Sequence, residues 1–309
     1  MSEADEARLA LLRKLAALGY QFTTPTPLTH QRILLRRRQA EACDLADVFG
    51  WSLPFRPGFL DAGLMDAMTG GGLLRAQGEL LTSSVRVASL GSLLFLHSAY
   101  PARAKDAVFF GPDSYRFTDF IRAETPHLKS GATVVDIGAG AGVGGLFAAG
   151  LREPGRLVLT DVNAKALSYA AVNAAYAGIA VELREGEGLA GLSGPIDLAL
   201  ANPPYVAGDV GQTYAAGGGA LGGELTLRWA REVIEHLAPG GRLLLYTGAA
   251  IVRGHDALHE ALANLCNEIG CAMSYREIDP DVFPVLLVMP AYWGVERIAA
   301  VGGVLTKPA

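Results

Sequence analysis

The chain has 309 residues, half of them apolar and 18% charged, which is enough for one large domain and a smaller one around a sizeable core. Thirty-one acidic residues against 26 basic ones leave a net charge of −5 and exclude a general attraction to phosphate backbones; Arg32 and Arg36-Arg37-Arg38 form the one dense basic cluster. Cys43, Cys266 and Cys271 lack metal-ligand spacing, the N-terminus is acidic where a secretory signal is basic, and no apolar run nears the ~20 residues of a membrane span, so a cytoplasmic setting with no membrane and no disulfide framework is expected.

In chain order, leucines at 9, 11, 12, 15 and 18 predict a helix over Ala7–Leu18 that Gly19 stops. Thr29 is placed to cap a second helix through the arginine cluster, Glu41–Phe49 reads as a third and Asp61–Met68 as a fourth. Leu73–Arg75, Leu80–Val87 and Leu93–Leu96 are short strand-like runs parted by Gly78 and Gly91, so residues 1–105 read as a helical, winged-helix-like domain for recognising a substrate or partner. After a linker at Pro101–Asp106, Phe109–Phe117 is a turn feeding a helix from about Thr118 to His127.

From Thr133 strands and helices alternate: Thr133–Ile137, Gly144–Leu151, Arg156–Thr160, Ala164–Ala177, Val181–Arg184, Ile196–Ala201, Glu224–Leu237, Arg242–Thr247 and Ala257–Ile269. Strands near Ala272–Ile278 and Glu296–Leu305 close the pattern. Residues 106–309 are therefore expected to be α/β, a doubly wound parallel sheet finished by an antiparallel element. Ala207–Gly223, with seven glycines, is the long loop expected to act as a lid.

Three stretches carry chemistry. Asp136-Ile137-Gly138-Ala139-Gly140-Ala141-Gly142 ends the first strand of the sheet, where glycines let a backbone pass close to a ligand. Gly140-x-Gly142-x-x-Gly145 also fits the dinucleotide fingerprint, so this loop by itself leaves two cofactors open. Asp136 is one discriminator, because a carboxylate there repels a pyrophosphate and attracts an ammonium. Asp161, 21 residues past Gly140, is placed to accept from ribose hydroxyls, and Glu187 after the third strand could accept from an adenine amino group. The third stretch is Asn202-Pro203-Pro204-Tyr205. Two prolines cannot continue a ladder and hold Asn202 extended, making a stiff platform at a strand's carboxyl end. The Asn202 carbonyl, the proline carbonyls and the Tyr205 ring suit a planar group bearing NH2: acceptors for two N–H bonds and a face to stack on.

In that order, these residues resemble the class I S-adenosylmethionine-dependent methyltransferases. The Asn-Pro-Pro-Tyr form is similar to the amino-group branch that includes release-factor glutamine methyltransferases and enzymes acting on adenine or guanine amino groups. The likeness spans about residues 108–305 and implies a seven-stranded Rossmann-like methyltransferase sheet with S-adenosyl-L-methionine as cofactor. It implies that Asp161 holds the ribose, Val162 packs on adenine, and Asp136, Gly138, Ala139, Gly140 and Gly142 pass the methionine half. Asn202 and Pro203 then hold the target nitrogen, beside Pro204, and Tyr205 stacks on the substrate; Tyr115 and Arg116 lie in the segment that closes over both. The expected reaction is N-methylation of a macromolecule, a glutamine amide of a protein before an exocyclic amino group of adenine or guanine in RNA or DNA, because the net charge is negative and no basic stripe is interleaved with aromatics. A nicotinamide-dependent oxidoreductase and a non-catalytic binding module are the competing readings; the first leaves Asn202–Tyr205 unexplained. His255 and His259, one turn apart, read as a solvated helix face, and Trp51, Trp229 and Trp293 as core or rim aromatics.

Overall fold

The computed structural model describes residues 1–37, 40–125, 128–206, 217 and 221–309. Helix α1 (Glu3–Ala17) starts at a capping box between Ser2 and Asp5 and buries Leu9, Leu11, Leu12 and Leu15. Helix α2 (Pro27–Arg36) is capped by Thr26, not Thr29: Pro27 takes the first helical position, and the Thr29 N–H donates to Thr26 Oγ1 at 3.2 Å. Helix α3 is confined to Leu45–Phe49 because Asp44 caps it, and α4 spans Ala62–Gly70.

Two antiparallel hairpins follow: β1 (Leu74–Gln77) with β2 (Leu80–Ser83), and β3 (Val85–Leu90) with β4 (Leu93–Ser98). The run read as one strand over Leu80–Val87 is thus split in two. Ser83 Oγ donates to the Val85 carbonyl at 2.7 Å and accepts the Val85 N–H at 3.2 Å, which bends the chain between them.

Helix α5 (Pro112–Glu124) starts six residues earlier than expected, because Pro112 presets φ at its first position and Ser114 Oγ accepts the Gly111 N–H. Then come β5 (Thr133–Ile137), α6 (Val143–Leu151), β6 (Arg156–Asp161), α7 (Ala164–Ala177), β7 (Glu182–Glu185), β8 (Ile196–Ala201), α8 (Glu224–His236), β9 (Leu237–Val252), β10 (His255–Asp256), α9 (Ala257–Ile269), β11 (Ala272–Asp279) and β12 (Arg297–Thr306). The sheet order is β11-β12-β9-β8-β5-β6-β7, with β10 folded back on β9. The strands from β7 to β9 are parallel, while β12 and β11 are antiparallel.

Alternation along the strands assigns the two faces. Val134, Leu157, Leu159, Leu198, Leu200, Leu244 and Tyr246 pack with α6 and α7; Val135, Val158, Ala199, Leu243 and Leu245 pack with α8 and α9. The first of these clusters runs on into α1, α4 and the β3–β4 hairpin, so the N-terminal elements share a core with the sheet. Buried Asn173 on α7 makes the tie polar as well. Its amide oxygen accepts the Leu96 N–H at 2.8 Å, and its nitrogen donates to the carbonyls of Leu96 (3.2 Å) and Ala141 (2.9 Å). One side chain thereby joins β4 to the glycine loop.

Candidate active site

The chain crosses from β5 to β6 and β7 on one side, then returns to β8 on the other side of β5. That reversal opens a crevice beyond the strands' carboxyl ends. A cavity of about 870 Å³ fills it, within the size range of small-molecule sites. Its wall includes Asp136, Gly138, Ala139, Gly140, Asp161, Val162, Glu187 and Asn202–Tyr205. These residues, from four separate stretches of sequence, therefore meet around one space.

Gly140 sits at φ +55°, a region that side-chain-bearing residues rarely adopt, and a Cβ added there would meet no atom within 4 Å. The loop therefore offers bare backbone to the cavity. Its N–H donates to Asp161 Oδ2 at 2.8 Å, and the other Asp161 oxygen accepts the Asn163 N–H at 2.8 Å. Burial raises the Asp161 pKa, and these N–H donors oppose the shift. Two oxygens with about four acceptor sites still leave room for hydroxyl donors.

Asp136 is 2% exposed and accepts the Gly145 N–H at 2.7 Å. Burial pushes its pKa up to about 7, against that N–H and with help from the nearby Asp161 charge. Gly145 is the third residue of α6, so this carboxylate occupies a helix N-terminal donor to which a dinucleotide would bring its pyrophosphate. Gly145 also packs too closely for a side chain: a Cβ there would come within 2.5 Å of Leu159. The glycine pattern is satisfied, but its anion position is already held by a protein carboxylate.

On the opposite wall, Asn202 follows β8 and has no hydrogen-bond partner for its amide among the described residues. The Tyr205 ring lies over Gly248 of β9, where a Cβ would come within 2.5 Å of it, and 5.6 Å from the Phe283 ring centre. Its hydroxyl donates to Asp113 Oδ2 at 3.1 Å, while Tyr246 donates to Asp113 Oδ1 at 2.7 Å. Asp113 is buried on the first turn of α5, and burial raises its pKa despite these two donors and Arg116 at 3.6 Å. The aromatic of the Asn-Pro-Pro-Tyr platform is therefore fixed at both its face and its hydroxyl.

Several expected site residues stand elsewhere. Tyr115, Arg116 and Gly142 are not in the cavity wall among the described residues. Because α5 begins at Pro112, Tyr115 and Arg116 lie along the helix. The Tyr115 hydroxyl accepts the Thr24 N–H at 3.1 Å, and Arg116 pairs with Asp279 at 2.7 Å. Gly142 caps α6, where a Cβ would meet Leu146, Leu159 and Ala170. Glu187 is at the exposed rim, ion-paired with Arg228. Of the expected lid, Gly217 and residues 221–223 are described; the rest lies outside the described residues, as does Arg38. Gly217 lines the cavity, and its N–H donates to the Val206 carbonyl at 2.9 Å. His255 pairs with Glu260 at 3.1 Å and His259 stacks on Tyr275, and no cluster with metal-binding composition occurs among the described residues. Nor is any described helix long and apolar enough to cross a membrane.

Three further residues belong to the site, Asp113, Trp229 and Phe283, and nothing in the sequence marks them as such. Trp229 projects from α8 against Gly138, Phe283 comes from the segment between β11 and β12, and both line the cavity. No local pattern marks either: each reads as an apolar residue until the sheet brings it to the crevice.

Residues 121–268 match the family model described as the methyltransferase small domain. A release factor glutamine methyltransferase from Cereibacter sphaeroides is 37% identical over 145 residues, 42% of this chain and 51% of that protein. A ribosomal RNA small subunit methyltransferase C from Erwinia tasmaniensis is 36% identical over 134 residues, 40% of this chain and 33% of that protein. The chain thus spans about half the length, or less, of the curated relatives it matches. The crystal structure of Trm5b from Pyrococcus abyssi superposes with a TM-score of 0.52 at 17% identity, covering 76% of this chain and 62% of that one, a likeness of fold. The Asp136–Gly142 loop, Asp161 and the Asn202–Tyr205 platform all lie within residues 121–268, so the stretch that matches the methyltransferase small domain is the one that carries this crevice.

Proposed function

We propose that the chain transfers a methyl group from S-adenosyl-L-methionine to the side-chain amide nitrogen of a glutamine in a cytoplasmic protein, a peptide-chain release factor being the first candidate. The observation that carries this reading is the shared cavity: the Asp136–Asp161 wall and the Asn202–Tyr205 platform face the same 870 Å³. The charge in that wall supports it. Among the described lining residues are five carboxylates (Asp113, Asp136, Asp161, Glu187 and Glu224) and two cations, Lys105 and Arg228. Such a wall favours a cationic cofactor and a neutral amide over a polyphosphate strand. The relatives named for glutamine methylation of release factors support the protein substrate.

The cofactor, when bound, supplies an electrophilic methyl group on a sulfonium. In this reading Asp161 accepts from the ribose hydroxyls, Asp136 pairs with the ammonium of the methionine moiety, and the bare loop at Gly138–Gly140 lets both approach. Val162 and Glu187 bound the adenine end. An amide nitrogen is a poor nucleophile because its lone pair is delocalised. The Asn202 side-chain carbonyl and the Pro203 backbone carbonyl accept its two N–H bonds and stabilise the positive character that grows on them as the nitrogen is alkylated. Pro203 and Pro204 keep those acceptors preorganised, and Tyr205, held by Asp113, provides the stacking face. Residues 1–105 serve in recognising the macromolecule.

Two experiments bear on the reading. Labelled methyl groups offered with an extract of cells lacking the enzyme should enter protein, and a purified release factor should take the label; label confined to RNA would overturn the substrate class. A pH profile tests Asp136. With a pKa of about 7, its carboxyl is about one-tenth ionised at pH 6 and nine-tenths at pH 8. Affinity for S-adenosylhomocysteine, whose ammonium needs the ionised form, should rise roughly tenfold over that range, and Asp136→Asn should flatten the rise. A profile equally steep in the variant would remove Asp136 from this role.

A further inference from the structure

The segment between β11 and β12 runs from Pro280 to Glu296. Eleven of its 17 residues are apolar, and none is Lys, Arg or His. It is fixed at both ends of its course. Val282 is buried and its N–H donates to the Ile298 carbonyl at 2.7 Å, and Tyr292 is 2% exposed. Between these anchors the chain makes two short 3-10 turns, Pro284–Val288 and Pro290–Tyr292, that pack on each other. Phe283 enters them at φ +56°, a left-handed conformation that a phenylalanine rarely takes, and its ring lines the cavity beside Tyr205.

Beyond Phe283 the segment turns apolar side chains outward. Val285 is 52% exposed, and Val288 and Trp293 are each 81% exposed. A third of the exposed large apolar side chains among the described residues thus fall within nine residues of chain. Clustered exposure of this kind marks a contact surface, since single exposed apolar residues are ordinary and a group including tryptophan is not.

We propose that Val285, Val288 and Trp293 form a docking strip for a polypeptide loop of the protein substrate, gripping apolar side chains next to the amide that enters the cavity. The proposal rests on the reading of the site as a protein methyltransferase and adds where the substrate is held. Two observations choose a polypeptide over a nucleic acid. The strip itself carries no cation, the neighbouring Arg297 is paired with Glu277, and the strip continues into a wall whose described charged residues are five carboxylates against Lys105 and Arg228, an excess of negative charge that disfavours a phosphate backbone. It is also continuous with Tyr205 through Phe283, so a loop lying on it has its next side chain at the mouth of the cavity. Anchoring by Val282 and Tyr292 keeps the strip preformed and limits the entropy lost on docking.

The test uses Val288→Ser and Trp293→Ser in the full chain, both at exposed positions outside the cavity wall. Labelled methyl transfer is followed from S-adenosylmethionine into two fractions of an extract lacking the enzyme, one protein treated with ribonuclease and one RNA treated with protease. Initial rates into limiting protein should fall tenfold or more in each variant, with S-adenosylhomocysteine affinity by calorimetry unchanged, and Trp293→Phe should recover most of the rate. Label entering protein at the wild-type rate in both serine variants overturns the strip and leaves the protein methyltransferase intact. Label entering RNA alone, or neither fraction, overturns the proposed function and the strip together. Should one serine variant also lose S-adenosylhomocysteine binding, the other decides the outcome.

Discussion

Replacing Asn202 with alanine is expected to lower turnover by about 10²–10³ while leaving S-adenosylhomocysteine affinity within a few-fold of wild type, the usual cost of deleting one preorganised polar group at a reacting centre. The split follows from where Asn202 stands. Its amide has no partner among the described residues, so removing it breaks no hydrogen bond among them, and the two prolines after it still end the strand. The side chains placed to hold the cofactor in this reading, Asp136 and Asp161, belong to other strands. Single-turnover rates with calorimetry check the result. Equal losses in rate and affinity would give Asn202 a structural role instead.

Asp161→Ala is expected to produce the largest loss of cofactor affinity. Charge-assisted hydrogen bonds of a carboxylate to hydroxyls are worth ~1.5–3 kcal/mol, a tenfold to hundredfold effect. The structure places the expectation at the upper end. The same carboxylate accepts the N–H groups of Gly140 and Asn163, so its removal also releases the glycine loop. Asp161→Asn should lose less, since the amide oxygen can still accept the Gly140 N–H. Calorimetry with S-adenosylhomocysteine measures both variants, and unchanged binding in Asp161→Ala would displace the ribose from this strand end.

Asp113 shows how a site residue escapes a reading of sequence. As one acidic residue on the first turn of a helix, it has an ordinary explanation in the helix dipole. Its partners, Tyr205 and Tyr246, lie 92 and 133 residues away. Only the folded sheet shows that one buried carboxylate holds both hydroxyls. Tyr115 and Arg116 went the other way. The resemblance puts them in the closing segment, whereas the early start of α5 at Pro112 turns them to Thr24 and Asp279.

The sequence by itself determined what rests on local chemistry. Alternation and helical period set the β5–α9 elements apart from β10, four of them to the residue, since Thr133–Ile137, Ala164–Ala177, Ile196–Ala201 and Ala257–Ile269 carry both their apolar pattern and their stop signals in or beside their own residues. The glycine loop, Asp161 and the Asn-Pro-Pro-Tyr platform were legible for the same reason: glycine, a strand-end carboxylate and paired prolines act on the backbone beside them. Tertiary structure alone decided what depends on distant partners. It brought Asp113 to the hydroxyls of Tyr205 and Tyr246, 92 and 133 residues away. It also joined the N-terminal elements to the sheet through Asn173 and aimed Phe283 at Tyr205. These outcomes turn on burial and on contacts between residues tens to more than a hundred positions apart, which no local window of sequence contains.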